Sequence, residues 1–206
     1  RYPNSSEAPD IQEKIVNAFE RERNFEAAAN ARTQLNQRYS EGSDWFKTNA
    51  DNPDALARAK KLTEKSLYAA ALFHHKQAQV HKDAGKLELS KEQYELAAGA
   101  YSKYLTRFPH DKQLYDLTFY LAECQYYSLQ FTSAAANYMK IRDATIDDKF
   151  RDDAAFSTFL AFENAIKVAE VRGELTKPGG GMVESPAPGG EVGAPLVEGQ
   201  KQEEAA

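Results

Sequence analysis

The chain has 206 residues, which is enough for one domain or one domain with a tail. Its net charge of −5 is spread along the sequence, so it offers no basic field for nucleic acid or anionic lipid. The longest apolar run, Leu67 to Phe73, falls far short of the roughly 20 residues that span a bilayer.

The chain starts at Arg1 without a signal peptide, and we expect it to be an excised or processed piece. Pro9-Asp10 opens a first helix with Ile11, Ile15, Val16 and Phe19 on one face. Asn24-Phe25 marks a turn, and Ala27, Ala28, Ala31 and Leu35 carry a second helix to about Tyr39. Ser40 to Ser43 breaks the chain, and Trp45-Phe46 is expected on a short docked turn of helix. Asn52-Pro53 pairs an N-cap with proline at the first helical position. A helix of about thirty residues should follow, closed by Gly85 in the left-handed region. Its middle, Leu67 to Phe73, is apolar on two sides, as for a helix packed between two others. Ser90-Lys91-Glu92-Gln93 has the form of a capping box and predicts a helix start there, running through Tyr94, Ala97, Tyr101 and Tyr104 to Phe108-Pro109.

From Asp111 to Asp143 the pattern is two short helices folded back on each other. The first carries Leu117, Tyr120, Leu121 and Cys124; Thr132 offers an N-cap hydroxyl for the second, with Ala134, Ala135, Tyr138 and Ile141. Cys124 lies on an apolar stripe and is expected to pack; one cysteine allows no internal disulfide. A final helix from about Asp148 to Val171 carries Phe156, Phe159, Leu160 and Ile166. Residues 176–206 hold seven of the eleven glycines, four of the eight prolines and no aromatic residue. Two lysines against five glutamates give them a charge of −3, and they read as a disordered acidic tail or linker.

A repeat runs through the helices. Phe25 precedes Ala28 by three residues, Tyr94 precedes Ala97, and Phe131 precedes Ala134; an aromatic follows the later two alanines at i+4, as Tyr101 and Tyr138. Ala97 and Ala134 are 37 residues apart, within the window of helical arrays. With Pro109 and with Leu121-Ala122, twelve residues before Ala134, this resembles the tetratricopeptide (TPR) family. Thr118, Gln125 and Arg32 depart from its pattern, and Ala78 to Ala97 is 19 residues rather than 12. The resemblance implies an all-α fold: a right-handed superhelix of antiparallel helix pairs, or α-solenoid. It divides the chain into a degenerate pair over 1–52, an array with a capping helix over 53–175, and the tail.

A narrower resemblance joins Gly42-Ser43-Asp44-Trp45, Asn52 to Leu56, and Leu67 to His75 to TPR scaffold proteins of the envelope and gliding-motility machinery of myxobacteria. It implies a periplasmic or envelope-associated location within a larger protein, the alternative being cytoplasmic.

No residue pattern points to catalysis or to a cofactor. His74 and His75 point about 100° apart on a helix, and His74 and His81 are roughly 10 Å apart along its axis. None of these pairs suits one metal ion, and we expect groove-lining or surface roles for the histidines. Asp147, Asp148, Asp152 and Asp153 lack the glycine turn and terminal glutamate of a calcium loop and suit a helix start instead. The expected function is a protein-interaction scaffold that binds a partner segment in the concave groove, the alternative being a spacer or dimerisation module. Candidate groove residues are Asp116, Phe119, Glu123, Tyr126, Tyr127 and Gln130, an aromatic and polar mix suited to peptides. For Phe119 and Tyr127 the competing expectation is packing against the helix near Asp148.

Overall fold

The structure, a computed structural model, describes residues 4–175; the predicted tail at 176–206 lies outside them. Among the described residues there are eight helices and no strand. They are α1 (Ala8–Arg21), α2 (Phe25–Tyr39), α3 (Asp44–Thr48), α4 (Pro53–Asp83), α5 (Leu87–Arg107), α6 (Leu114–Tyr127), α7 (Phe131–Arg142) and α8 (Arg151–Val171). Two compact units divide between Phe73 and His74, inside α4, whereas the sequence pattern placed its boundary before Pro53.

In the first unit α1 and α2 pair, and α3 docks on α2. Asn24 caps α2 by accepting from the Ala27 amide at 3.2 Å, and Ser43 caps α3 by accepting from Phe46 at 3.2 Å. Trp45 is 3% exposed, sets its ring edge-on to Tyr39 and donates its indole N–H to the Ser5 carbonyl at 2.7 Å. The start of α4 follows its sequence signal, with Asn52 Oδ1 accepting from the Ala55 amide at 3.1 Å. Ala28, Ala59 and Leu35 fill the centre with almost no exposed surface.

In the second unit α6 is enclosed, every residue from Leu117 to Tyr126 being buried. It packs against α5 and α7, and α7 in turn packs against α8. Two corrections concern helix starts. Ser90 is no cap: α5 begins at Leu87, and Ser90 sits one turn in, its hydroxyl donating to the Ala78 carbonyl at 2.9 Å. Thr132 lies within the first turn of α7, which has no side-chain cap.

The connections reveal a repeat that the alanine pattern mis-registers. Arg23 (φ 55°), Gly85 (φ 70°) and Leu129 (φ 65°) are left-handed residues just after α1, α4 and α6. At each turn the next amide bonds back five residues: Asn24 to Phe19 (2.9 Å), Lys86 to His81 (2.9 Å) and Gln130 to Gln125 (2.8 Å). This is the Schellman closure of a helix. Aligning on these turns puts Val16, Ala78 and Ala122 twelve residues before Ala28, Ser90 and Ala134 respectively. All six are buried. The small residue of α5 is therefore Ser90 rather than Ala97, and its aromatic at i+4 is Tyr94. The spacing from Gly85 to Leu129 is 44 residues, not 37, and the apparent extra seven residues between Ala78 and Ala97 vanish. Seven residues are nearly two helical turns, so the wrong register shows the same face.

Two stability measurements test this packing. Ala134 has no exposed surface, so Ala134→Leu should lower unfolding free energy by about 1–3 kcal/mol in a urea titration. Leu129 is 57% exposed and left-handed, so Leu129→Gly should raise stability by up to about 1 kcal/mol. An unchanged midpoint in the first case would contradict the close α6–α7 approach.

Candidate partner-binding surfaces

The six candidate groove residues lie together on and just beyond α6, yet most of their side chains are engaged in packing. Phe119 is 2% exposed and stacks on Phe150 with centroids 4.2 Å apart. Glu123 is 2% exposed and accepts a hydrogen bond from the Tyr138 hydroxyl of α7. Burial, with the Glu123 charge beside it, pushes the Tyr138 hydroxyl well above the usual tyrosine range, so it keeps the proton it donates. Tyr126 accepts from Asn164 of α8 at 2.9 Å and sets its ring edge-on to Phe131. Tyr127 stacks on Tyr94 at 5.0 Å with the Lys82 ammonium 3.8 Å from its ring centre. Asp116 pairs with Lys149 at 3.1 Å, and Gln130 is exposed but folds back onto the Ser128 hydroxyl at 3.0 Å. Phe119 thus packs at the start of α8, as the competing expectation had it, whereas Tyr127 packs on α4 and α5 instead; Glu123 and Tyr126 are engaged in packing as well.

The histidines correct another expectation. His75 has no exposed surface and sits among the rings of Tyr94, Tyr101 and Tyr120, with centroids 5.8–6.0 Å away. Gln79 donates to its Nε2 at 3.3 Å, which leaves the proton on Nδ1, 3.3 Å from the Tyr101 oxygen. His74 is half-buried, its Nδ1 2.8 Å from Gln93 Oε1. His75 is a core residue because α4, α5 and α6 converge on it, which no local pattern records. Among the described residues no group of three or more His, Cys, Asp and Glu is placed to hold a metal ion, and no helix is long and apolar enough to cross a membrane.

Two open surfaces stand out among the described residues. One is a cleft of about 480 Å³ between α5 and α7 with α6 as its floor. Leu105, Leu121 and Ile141 form its apolar part. A polar chain crosses it, Lys140 donating to Asn137 at 2.8 Å and Asn137 to Gln125 at 2.8 Å. The other is a stripe on α8. Ala154, Ser157, Leu160 and Ala161 are buried, while Phe156, Phe159, Phe162 and Ile166 are 43%, 64%, 45% and 42% exposed. At about 100° per residue those four lie within an arc of about 120°. The sequence pattern placed Phe156, Phe159 and Ile166 on the final helix without a face and passed over Phe162. The missed signal is that α8 is apolar on two opposite sides, where a helix packed on one neighbour needs only one. The chain matches no protein-family model, and comparison with curated proteins and solved structures gave no match either.

His75 makes a pH prediction. Burial drives its imidazole down to about 4 from an ordinary value near 6.5. The unfolded chain therefore takes up this proton first as pH falls, and stability present above pH 6.5 is lost between 6.5 and 4. Between pH 7.5 and pH 5 wild type should lose about 2 kcal/mol more than His75→Gln in paired denaturant titrations. Equal losses in both proteins would show that His75 charges freely in the folded state.

Proposed function

We propose that this chain is a non-catalytic scaffold module that binds another protein, with its helix pairs stacked as a TPR-like right-handed solenoid. The repeated turns and the twelve-residue spacing of small contacts support the solenoid. The observation that carries the binding function is the exposed stripe on α8. Three phenylalanines and an isoleucine, each roughly half exposed, present on the order of 300–400 Å² of apolar surface. Gathered on one helix face instead of scattered singly, these side chains support an interaction surface. The concave groove contributes less, since Phe119, Glu123 and Tyr126 already hold α6 to its neighbours.

The test is Phe159→Glu, a change at a site already 64% exposed. Its helicity and melting midpoint should match wild type, while capture of protein partners from a cell extract should fall at least tenfold. Equal capture by both proteins, or none by either, would overturn the proposal. A concentration-dependent dimer lost in Phe159→Glu would favour the dimerisation module instead.

A further inference from the structure

We infer that α8 is the first helix of a fourth helix pair whose second helix is supplied by a partner protein; this rests on the binding function proposed above. The turn after α8 is the turn that follows α1, α4 and α6. Gly173 is left-handed at φ 73°, and the Glu174 amide bonds back five residues to Ala169 at 2.9 Å. Gly173 also lies 44 residues beyond Leu129, repeating the spacing from Gly85.

This register says which face of α8 is uncovered. Phe162 and Ile166 stand where Thr118 and Ala122 stand in α6, and where Gln12 and Val16 stand in α1. Those four residues are 9%, 0%, 7% and 5% exposed, because each lies on the face paired with the following helix. Gln12 donates to the Ala31 carbonyl of α2 at 3.0 Å, and in α6 Gln125 accepts from Asn137 of α7 at 2.8 Å. On α8 the same positions are 45% and 42% exposed. The stripe is the seat of a second helix.

The occupant's chemistry follows. Across from Val16, Ala78 and Ala122 the second helices carry Ala28, Ser90 and Ala134, so the residue facing Ile166 must be small. Val16 opposite Ala28 shows that a branched residue is accommodated there. An aromatic four residues later, as in Tyr94 and Tyr138, completes the contact. The α1–α2 and α6–α7 pairs fold back across their tight turns, so the incoming helix runs antiparallel to α8.

Two other occupants fit less well. In the sequence the position twelve beyond Ile166 is Pro178, and residues 176–206 have no aromatic residue. A second copy placed α8 against α8 in antiparallel fashion sets Asp152 near Glu170.

The probe is a hydrocarbon-stapled peptide of residues 130–144, the α7 segment, fluorescein-labelled and titrated into the full chain by anisotropy. We expect saturable binding that weakens at least tenfold in Ile166→Glu and in Phe162→Glu, both exposed sites whose folding is checked by circular dichroism. It should also weaken at least tenfold when the peptide carries Ala134→Leu. No binding, or binding indifferent to these changes, overturns the inference. If Phe159→Glu still abolishes partner capture while the peptide fails, the partner is of another shape and the binding function stands. Loss of both results removes both readings, and a self-associating chain that excludes the peptide replaces the partner helix with a second copy.

Discussion

The close approach of two helices across a left-handed turn is the contact on which the rest of the structure depends. Ala122 and Ala134 have no exposed surface, and backbones separated only by such residues leave little room for error in register. The Schellman turn at Leu129 fixes where α7 starts, and the twelve residues between the alanines then bring them face to face. With that distance set, larger side chains fall into place around it. Tyr138 reaches the Glu123 carboxylate, and Asn137 reaches Gln125. Buried polar partners of this kind tolerate only one alignment, so they convert a close approach into a specific one.

A second layer is aromatic. His75, Tyr94, Tyr101 and Tyr120 meet where α4, α5 and α6 converge, and Phe119, Phe150 and Tyr115 continue the rings toward α8. Rings in edge-on and stacked contact fill large volumes with few rotatable bonds. Enclosed by them, α6 is buried on all sides even though it carries Thr118, Glu123 and Gln125. Each of these polar groups has its oxygen or amide engaged by a neighbour, Thr118 donating to the Leu114 carbonyl at 2.6 Å.

The helices and several of their ends were legible because their causes are local. Asn24, Asn52 and Gly85 act at the positions their chemistry suggests. Ser90 misled because a serine three residues before glutamine has the pattern of a cap, while its hydroxyl is in fact spent across the helix pair on Ala78. The left-handed turns at Arg23 and Leu129 carry no glycine to announce them, so the 44-residue spacing was hidden behind a 37-residue coincidence. Candidate site residues were legible only as a face. Periodicity shows that Phe119 and Tyr126 share one side of α6, but only the position of α8 shows that this side is occupied. Which face of α8 stays exposed was hidden for the same reason, since composition does not record which neighbour is missing.

The one-sided attachment of α8 also shapes how the unit breathes. An amide in α6 is released to solvent only when helices on several sides part, whereas α8 needs to leave α7 and the end of α6 alone. Opening free energy therefore falls toward the helix with fewer packed neighbours. Hydrogen exchange is fastest from such a helix and slowest from the enclosed middle. A ligand seated on α8 takes its binding energy from the same local equilibrium, so it slows exchange there first and raises cooperativity inward. On α8, folding and association thus draw on the same free energy.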